Sequence, residues 1–265
     1  MLVIGERINS SRKAIAEMLK NKDGVALVRE AMAQRKAGAA YIDVNAATMM
    51  ELEPEYLKWL VLILNEHLDV PLCIDTPNPA AMEVALRTHK GRAMLNSISA
   101  ESERFNDVLA LVREYRPRVV ALCLGDEGMP ESVDDRLRVV DRLLPALLDA
   151  GITSEDIFFD PLVKPVSSGS TYGLEVLHTI SAIKSRFPGV RTVCGLSNVS
   201  YGLPVRKLLN RAFMVMTVAA GIDALIIDPL DKALMSLLHA SEVLVGHDEY
   251  AMEYLRAYRE GHLEA

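Results

Sequence analysis

The chain alternates short apolar runs with longer segments of helical spacing, and this alternation repeats eight times. The runs are rich in Val, Ile, Leu and Phe, which is typical of parallel strands that are buried on both faces. They cover residues 2–5, 41–44, 72–74, 93–95, 119–124, 157–159, 192–196 and 224–227. This order restricts the chain to folds that are built on a parallel sheet.

The segments between the runs carry apolar residues at intervals of three and four, which predicts amphipathic helices. In the first of them, Val25, Val28, Ala31 and Met32 recur at this spacing until Gly38 ends the segment. The later helices are expected at about 54–68, 78–88, 102–115, 131–150, 173–186, 204–220 and 231–245. One more helix, at about 247–259, is expected after the last unit.

Eight βα units within 265 residues predict a single (β/α)8 TIM barrel, because this fold typically takes about 250 residues. The whole chain, 1–265, then forms one domain that ends in the extra helix. The competing interpretation is an open doubly wound sheet. No G-x-G-x-x-G motif follows the first apolar run, so the usual dinucleotide signature of that alternative is missing.

Composition and charge exclude several classes of protein. The formal net charge is -7 and no block of Lys or Arg offsets it, so a nucleic-acid surface is not expected. Cys73, Cys123 and Cys194 lie within apolar runs and far from ligand spacing, which is typical of reduced core residues in a cytoplasmic protein. No apolar run approaches the roughly 20 residues that a membrane span needs. A small molecule or a protein is the expected partner.

Nearly every predicted strand ends in a polar side chain. The residues concerned are Glu6, Arg7, Asn9, Asp43, Asn45, Asp75, Thr76, Asn96, Ser97, Asp126, Asp160, Ser197, Asn198 and Asp228. Each of them alone could simply form a turn or a helix cap. Closing a barrel would bring all of these ends to one mouth, where TIM-barrel enzymes place their active sites.

The polar types at these ends indicate the chemistry of a ligand. Carboxylates and amides accept and donate in pairs, which suits a flat heterocycle with an aminopyrimidinone edge. A phosphate would call for glycines or cations near the last two strands. No histidine falls on a strand end, so neither a metal site nor a His-based triad is expected. Lys164, the nearest candidate for a Schiff base, is expected in a loop.

Six ordered stretches carry a family signature: "LVIGERIN", "YIDVN", "CIDT", "RAMLNSIS", "FFDPLV" and "CGLSNVS". In order and spacing they resemble the methyltetrahydrofolate:corrinoid methyltransferases. That pterin-binding barrel family also includes the methyltetrahydrofolate domain of cobalamin-dependent methionine synthase and, more distantly, dihydropteroate synthase. The resemblance runs from residue 2 to about residue 245, and it implies a pterin-binding TIM barrel.

The resemblance implies roles for the strand-end residues. Asp75, Asn96 and Asp160 match the residues that hold the aminopyrimidinone edge of the pterin. Asn198 matches the amide beside N5, the nitrogen that carries the methyl group. Asn198 is then expected to be the orienting hydrogen-bond donor in catalysis, and the N5 proton is expected to come through water or through a carboxylate network that includes Asp75.

Other positions match the family with less detail. The residues that match the rest of the pterin site are Asp43, Asn45, Gly195 and Ser197. Lys184 matches a position near the ligand tail, and Arg206 falls where the family often has an arginine after the asparagine loop. Both could equally be solvated helix residues. Lys184 lies in the helix predicted at about 173–186, and Arg206 lies at the start of the helix predicted at about 204–220.

The implied substrates are tetrahydrofolate or 5-methyltetrahydrofolate and a corrinoid (cobalamin) on a partner protein, because the chain has no DxHxxG corrinoid signature. The family also implies a homodimer. The altered loop "YGLPVR" slightly favours transfer from a methylcorrinoid protein to tetrahydrofolate, as in a demethylase system, over the reverse direction. The alternatives are a dihydropteroate-synthase-like enzyme and a non-catalytic folate-binding module.

Overall fold

The computed structural model describes residues 1–264 and shows eight parallel strands closed into a barrel in the order β1 to β8. The strands are β1 (Leu2–Asn9), β2 (Tyr41–Asn45), β3 (Leu72–Asp75), β4 (Met94–Ala100), β5 (Arg118–Gly125), β6 (Ile157–Asp160), β7 (Arg191–Gly195) and β8 (Ala224–Ile227). The barrel closes through β1 and β8, which pair from Leu2 with Ala224 to Gly5 with Ile227. The predicted TIM barrel is confirmed.

Helices follow every strand and surround the barrel. They are α1 (Lys13–Lys20), α2 (Gly24–Lys36), α3 (Glu53–His67), α4 (Pro79–Thr88), α5 (Ser102–Tyr115), α6 (Val133–Asp149), α7 (Tyr172–Arg186), α8 (Arg206–Ala219), α9 (Lys232–Leu244) and α10 (Met252–Arg259). Short 3-10 helices precede α3, β6 and α10, and another, Leu196–Ser200, follows β7. Within residues 1–264, no helix is both long and apolar enough to cross a membrane.

The interior of the barrel is filled by one apolar layer to which every strand contributes a side chain. The layer consists of Ile4, Tyr41, Cys73, Met94, Val120, Phe158, Val193 and Ala224, all buried. The neighbouring residues on each strand face outward and pack against the helices, forming the larger core between sheet and helices. The barrel is therefore closed from below by apolar side chains, and only its upper end is open to a ligand.

The sequence-based boundaries differ most from the structure at α1, β1 and β4. An additional helix, α1, precedes α2, and its buried Ile15 and Leu19 anchor one face of it. β1 and β4 also extend beyond the predicted runs, to Asn9 and Ala100. Both strands contain register irregularities, which allow polar residues to continue a strand beyond its apolar part. The predicted terminal helix corresponds to α10 and the 3-10 turn before it.

Candidate active site

A polar layer lies directly above the apolar layer of the barrel. Side chains along a strand alternate between inside and outside, so the residue two positions after each apolar-layer residue also points inward. These residues are Glu6, Asp43, Asp75, Asn96, Leu122, Asp160, Gly195 and Ile226. Five of the eight carry a carboxylate or an amide, and they concentrate the barrel's polarity at the carboxyl ends of its strands.

Two carboxylates and two amides from β2, β3 and β4 form two neighbouring hydrogen-bonded pairs. The Asn45 amide donates from Nδ2 to Oδ2 of Asp75 at 3.0 Å, and the Asn96 amide donates from Nδ2 to Oδ1 of Asp43 at 3.3 Å. Burial, together with the negative charge of Asp75, raises the pKa of Asp43 well above its usual range. Burial also raises the pKa of Asp75 to about 6. At neutral pH Asp75 is therefore largely ionised and accepts hydrogen bonds, while burial beside Asp75 favours the neutral form of Asp43.

Asp160 forms a third carboxylate of the layer and is held by the loop that follows β6. Only 8% of Asp160 is exposed, and its Oδ1 accepts a hydrogen bond of 2.7 Å from the backbone N–H of Leu162. Leu162 has a left-handed backbone with φ of 64°. Burial raises the pKa of Asp160 to about 6, and the N–H of Leu162 partly opposes this effect.

A fully buried arginine fixes the same loop from behind. Arg136 on α6 has no exposed surface, and its Nε donates to the carbonyl oxygen of Pro161 at 2.6 Å. Its Nη1 donates to the Ser132 carbonyl at 3.0 Å and lies 3.4 Å from a carboxylate oxygen of Glu175. The guanidinium therefore ties the residue next to Asp160 to α6 and α7, and the Asp160 carboxylate is held in one place.

Glu6 connects the first strand to the loop after β7. Its Oε2 accepts from the Ser197 hydroxyl at 3.1 Å, and its Oε1 lies 3.1 Å from Nη2 of Arg12. Burial raises the pKa of Glu6, and the cation of Arg12 opposes that shift. Glu6 thus positions Ser197, the neighbour of Asn198.

Asn198 lies in the 3-10 helix Leu196–Ser200, with an exposed side chain. Within residues 1–264, no protein group hydrogen bonds to its amide. A Cβ on Gly195 would lie 3.3 Å from Nδ2 of Asn198, so glycine at this position lets the amide lie close over the strand. Arg206 secures the turn, because its Nη2 donates to the Ser197 carbonyl at 2.6 Å and its Nε to Oγ of Ser200 at 3.0 Å. The Asn198 amide is thereby left available for a ligand.

The structure brings together most of the predicted site residues. Asp43, Asn45, Asp75, Asn96, Asp160, Gly195, Ser197 and Asn198 all lie at the open end of the barrel. Arg206 lies beside them as a brace of the asparagine turn rather than as part of the polar layer.

Lys184 does not join this group. Its Nζ lies 2.7 Å from Oδ1 of Asp223, and Asp223 also accepts from the backbone N–H of Thr192 at 2.8 Å. Both acceptor contacts belong to the amino ends of β7 and β8, at the closed end of the barrel. The expectation that Lys184 lies near the ligand tail is corrected by this position.

Other strand-end residues have structural roles. Asp126 caps α5 by accepting from the N–H of Ser102 at 2.7 Å. Arg7 faces outward and pairs with Asp228 at 2.8 Å. Lys164 lies in the loop after β6, as expected, and its Nζ donates to the Pro130 carbonyl at 2.9 Å.

The site also includes residues that the strand-end reasoning did not assign to it. Glu6 was counted only among the strand ends, and Leu122 and Ile226 were not singled out. The latter two are partly exposed inside the mouth and give a flat ring an apolar contact. Counting two positions on from each apolar-layer residue would have found all three.

Among the described residues, no group of three or more His, Cys, Asp or Glu side chains is arranged to hold a metal ion. The mouth itself offers carboxylates, amides and apolar patches. Such a site can bind a flat, nitrogen-rich ring by its edge and leave one amide free to act on another atom of that ring.

The protein is a TIM-barrel enzyme. Its layer of amides and carboxylates, at the carboxyl ends of the strands, forms a site for a small heterocycle. The chain belongs to the pterin-binding enzyme family, whose sequence model matches residues 5–228.

The sequence is similar to those of two proteins of known function. It is 32% identical over 263 residues to the methylcorrinoid:tetrahydrofolate methyltransferase of Eubacterium limosum, which covers 98% of this chain and 97% of that protein. It is 28% identical over 257 residues to the methionine synthase of Mycobacterium tuberculosis, with 92% of this chain and 21% of that much longer protein covered.

Solved structures of dihydropteroate synthases share the fold. The enzyme of Coxiella burnetii in complex with pteroic acid matches with a TM-score of 0.67 at 18% identity, covering 91% of this chain and 93% of that one. The enzyme of Yersinia pestis matches with a TM-score of 0.65 at 16% identity, over 93% and 92% of the two chains. At these identities the likeness concerns the fold alone.

Proposed function

We propose that the protein transfers a methyl group between N5 of tetrahydrofolate and the cobalt of a corrinoid protein. The observation that carries the proposal is the polar layer of Asp43, Asp75, Asn96 and Asp160 with the free amide of Asn198 beside it. Membership of the pterin-binding family supports a pterin as the part of the substrate that binds here. The Eubacterium limosum relative, whose name gives both substrates, supports the methyl transfer.

In this proposal the carboxylates bind the aminopyrimidinone edge of the folate. Ionised Asp75 and Asp160 accept hydrogen bonds from its N–H groups, while Asp43 and the amides of Asn45 and Asn96 complete the polar set. Leu122 and Ile226 contact the apolar part of the ring. Because the carboxylates are buried, their hydrogen bonds to the ligand are stronger than they would be in water.

Asn198 acts at N5. When the folate accepts the methyl group, the N5 lone pair forms the new bond to carbon, the cobalt–carbon pair of electrons stays on cobalt, and N5 gives up its proton. In the reverse direction N5 must gain that proton as it leaves the methyl carbon. An amide is neither the acid nor the base at neutral pH, so Asn198 orients and stabilises N5 as its charge changes. The proton passes through water to Asp75, whose pKa of about 6 suits a group that gains and loses a proton near neutrality.

The direction that we propose is from the methylcorrinoid protein to tetrahydrofolate. The name of the Eubacterium limosum relative, similar over nearly the full length of both chains, supports this direction. The same residues serve the reverse reaction, so the two directions differ in the supply of substrates and not in the site. A methylated corrinoid protein of a demethylase system would be the donor.

The test is to mix the purified protein with methylcobalamin and tetrahydrofolate, and separately with cob(I)alamin and 5-methyltetrahydrofolate, and to follow the corrinoid absorbance. We expect enzyme-dependent conversion in both mixtures. A protein that binds 5-methyltetrahydrofolate without any conversion would be a folate-binding module. A protein that instead condenses a pterin pyrophosphate with p-aminobenzoate would be a dihydropteroate synthase.

Two further expectations accompany the proposal, the first from the family resemblance and the second from the cysteines. The protein is expected to form a homodimer and to be cytoplasmic. Sedimentation equilibrium of the purified protein tests the first, since a mass of twice that of one chain is expected. A mass that equals one chain at all concentrations would refute it.

A further inference from the structure

Three large apolar side chains are exposed on the loop and first turn that follow Asn198. Tyr201 is 67% exposed, Val205 73% and Leu208 66%. They lie within a single stretch between the asparagine turn and the start of α8. Single exposed apolar residues are common, but a group of three at the edge of a site is typical of a contact surface.

Val205 is held there against its backbone preference. Its φ is 50° and its ψ is 42°, in the left-handed region, where a β-branched residue is a genuine outlier. The Val205 side chain is nevertheless exposed, so its packing does not offset the strain. Strain of this kind commonly accompanies a functional requirement.

Near these apolar residues, three lysines lie at the amino ends of helices, where the helix dipole disfavours cations. Lys13 begins α1, Lys207 lies in the first turn of α8, and Lys232 begins α9. None of these first turns contains an acidic residue, and of the three N-caps only Asp231, at α9, is a carboxylate. The positive end of a helix repels such cations. The first turns of α5, α6 and α7, on the other side of the barrel, do contain acidic residues.

These cations are largely free of carboxylates. Lys13 and Lys232 are exposed, and in the described chain the ion pairs of this sector use Arg12 and Arg211 rather than these two lysines. Lys207 is 3.7 Å from Asp231 and remains mostly exposed. A free basic group on a protein of net charge -7 is complementary to an acidic partner.

We propose that this sector, which we call the basic rim and define as Lys13, Tyr201, Val205, Lys207, Leu208 and Lys232, docks an acidic face of the protein that carries the corrinoid. The proposal rests on the proposed function, which requires a protein-bound cobalt to reach the mouth beside Asn198. The apolar residues form the centre of the contact, and the lysines around them steer the partner. On the opposite side, the exposed carboxylates Glu103 in the first turn of α5 and Glu127 and Glu131 in the loop after β5 repel the same acidic face, which fixes its orientation.

An acidic folate tail is the competing occupant of the lysines. A tail of glutamates would need cations along one line leading out of the mouth. The three lysines instead begin three separate helices, and exposed apolar side chains lie on the same sector. A broad protein face uses both features, so the observations favour a protein.

The experiment uses a triple charge reversal, Lys13→Glu, Lys207→Glu and Lys232→Glu, in the full chain. The matched control reverses Lys20, Lys36 and Lys90, which are exposed lysines in or just after the last turns of α1, α2 and α4. Each variant is assayed for methyl transfer with free methylcobalamin and with the corrinoid protein of the source organism, isolated by its absorbance and by methyl exchange with the wild type. The assays are run at low and at high ionic strength.

For the rim variant we expect an unchanged rate with free methylcobalamin. With the corrinoid protein kcat/KM should fall by about tenfold or more at low salt, and the loss should shrink as salt rises. Because Lys207→Glu removes an ion pair with Asp231 and Lys232→Glu lies beside the same carboxylate, Tm should fall, by no more than a few degrees. A merely structural role of the lysines would instead lower the rate with free methylcobalamin as well. The control variant should keep its rate with both methyl donors.

A second variant, Val205→Gly, removes the side chain and relieves the strain. It should slow the reaction with the corrinoid protein several-fold and leave the reaction with free methylcobalamin unchanged. Equal rates of wild type and both variants with the corrinoid protein would overturn the basic rim while leaving the proposed function intact. Weaker binding of a tetrahydrofolate triglutamate alone would assign the lysines to the folate tail. A wild type that reacts with neither methyl donor would remove the proposed function and the docking surface together.

Discussion

Replacing Asp160 by Asn should make the free protein more stable and the folate complex weaker. Asp160 is a buried carboxylate whose pKa rises from 3.8 to about 6 on folding. Asparagine has the same shape, and its Oδ1 can still accept the 2.7 Å hydrogen bond from the N–H of Leu162. It removes the charge that burial disfavours, together with one of the two oxygens that can accept from the backbone N–H groups of Leu162 and Gly195.

The size of the stabilisation follows from the two pKa values. A carboxyl group whose pKa is raised in the folded state favours folding below its unfolded pKa, and this contribution is lost as the pH rises through the folded pKa. With values of 3.8 and about 6, ionised Asp160 costs the folded protein about 3 kcal/mol at pH 7. The stability difference between Asp160→Asn and the wild type should therefore grow from nearly zero at about pH 3 to about 3 kcal/mol at pH 7.

Binding should change in the opposite sense. The ionised carboxylate accepts from the pterin N–H groups, and the Asn amide would present N–H groups to them instead. The loss of a charged hydrogen bond costs about 1.5–3 kcal/mol, which corresponds to a Kd for tetrahydrofolate that is roughly 10- to 100-fold higher. In the wild type the affinity should fall as the pH drops below about 6, as Asp160 and Asp75 take up protons.

Urea unfolding between acid and neutral pH measures the first effect, and calorimetric titration with tetrahydrofolate measures the second. Asp126→Asn is the control, because Ser102 lowers the pKa of this exposed carboxylate and its removal should slightly destabilise the protein. An Asp160→Asn variant that is no more stable than the wild type at pH 7, or that binds tetrahydrofolate equally well, would refute the buried-carboxylate reasoning.

Three further substitutions test individual residues of the site. Asn198→Ala should lower kcat by roughly 100-fold with little change in the folate Kd; an equal loss of binding would show that the amide only holds the ring. Gly195→Ala places a Cβ 3.3 Å from Nδ2 of Asn198, so kcat should fall by less than in Asn198→Ala, and full activity would show that the amide lies elsewhere. Lys184→Met should leave folate affinity unchanged in the same titration. It should cost under about 1 kcal/mol of stability, because the ion pair of Lys184 with Asp223 is partly exposed. Weaker folate binding would show that Lys184 belongs to the site.

The fold was predictable because each strand is a buried apolar run and each helix has its own periodicity. Each of the eight apolar runs corresponds to one strand of the barrel, although most strand ends are shifted by one or more residues. α1 was not expected, because its eight residues hold only Ile15 and Leu19 as buried anchors. Such a short pattern does not stand out from a loop.

The residue types of the site were predictable from the sequence, but the directions in which their side chains point were less so. Glu6 and Arg7 are neighbours at the end of β1, yet Glu6 points into the barrel and Arg7 pairs outside it with Asp228. Since side chains alternate along a strand, a list of strand ends mixes both faces unless the interior register is known. Asp126 belongs to the same list and caps α5. Lys184 was assigned by resemblance alone, and its helix directs it to the closed end of the barrel.

The most direct test of the central claim follows the methyl carbon itself. Tetrahydrofolate and methylcobalamin with a 13C-labelled methyl group are incubated with the protein, and NMR spectra record which atom carries the label. We predict that the label appears on N5 of the folate, one methyl group for each corrinoid demethylated, and that it returns to cobalt when labelled 5-methyltetrahydrofolate and cob(I)alamin are supplied. A label that stays on cobalt while the protein binds tetrahydrofolate would contradict the claim.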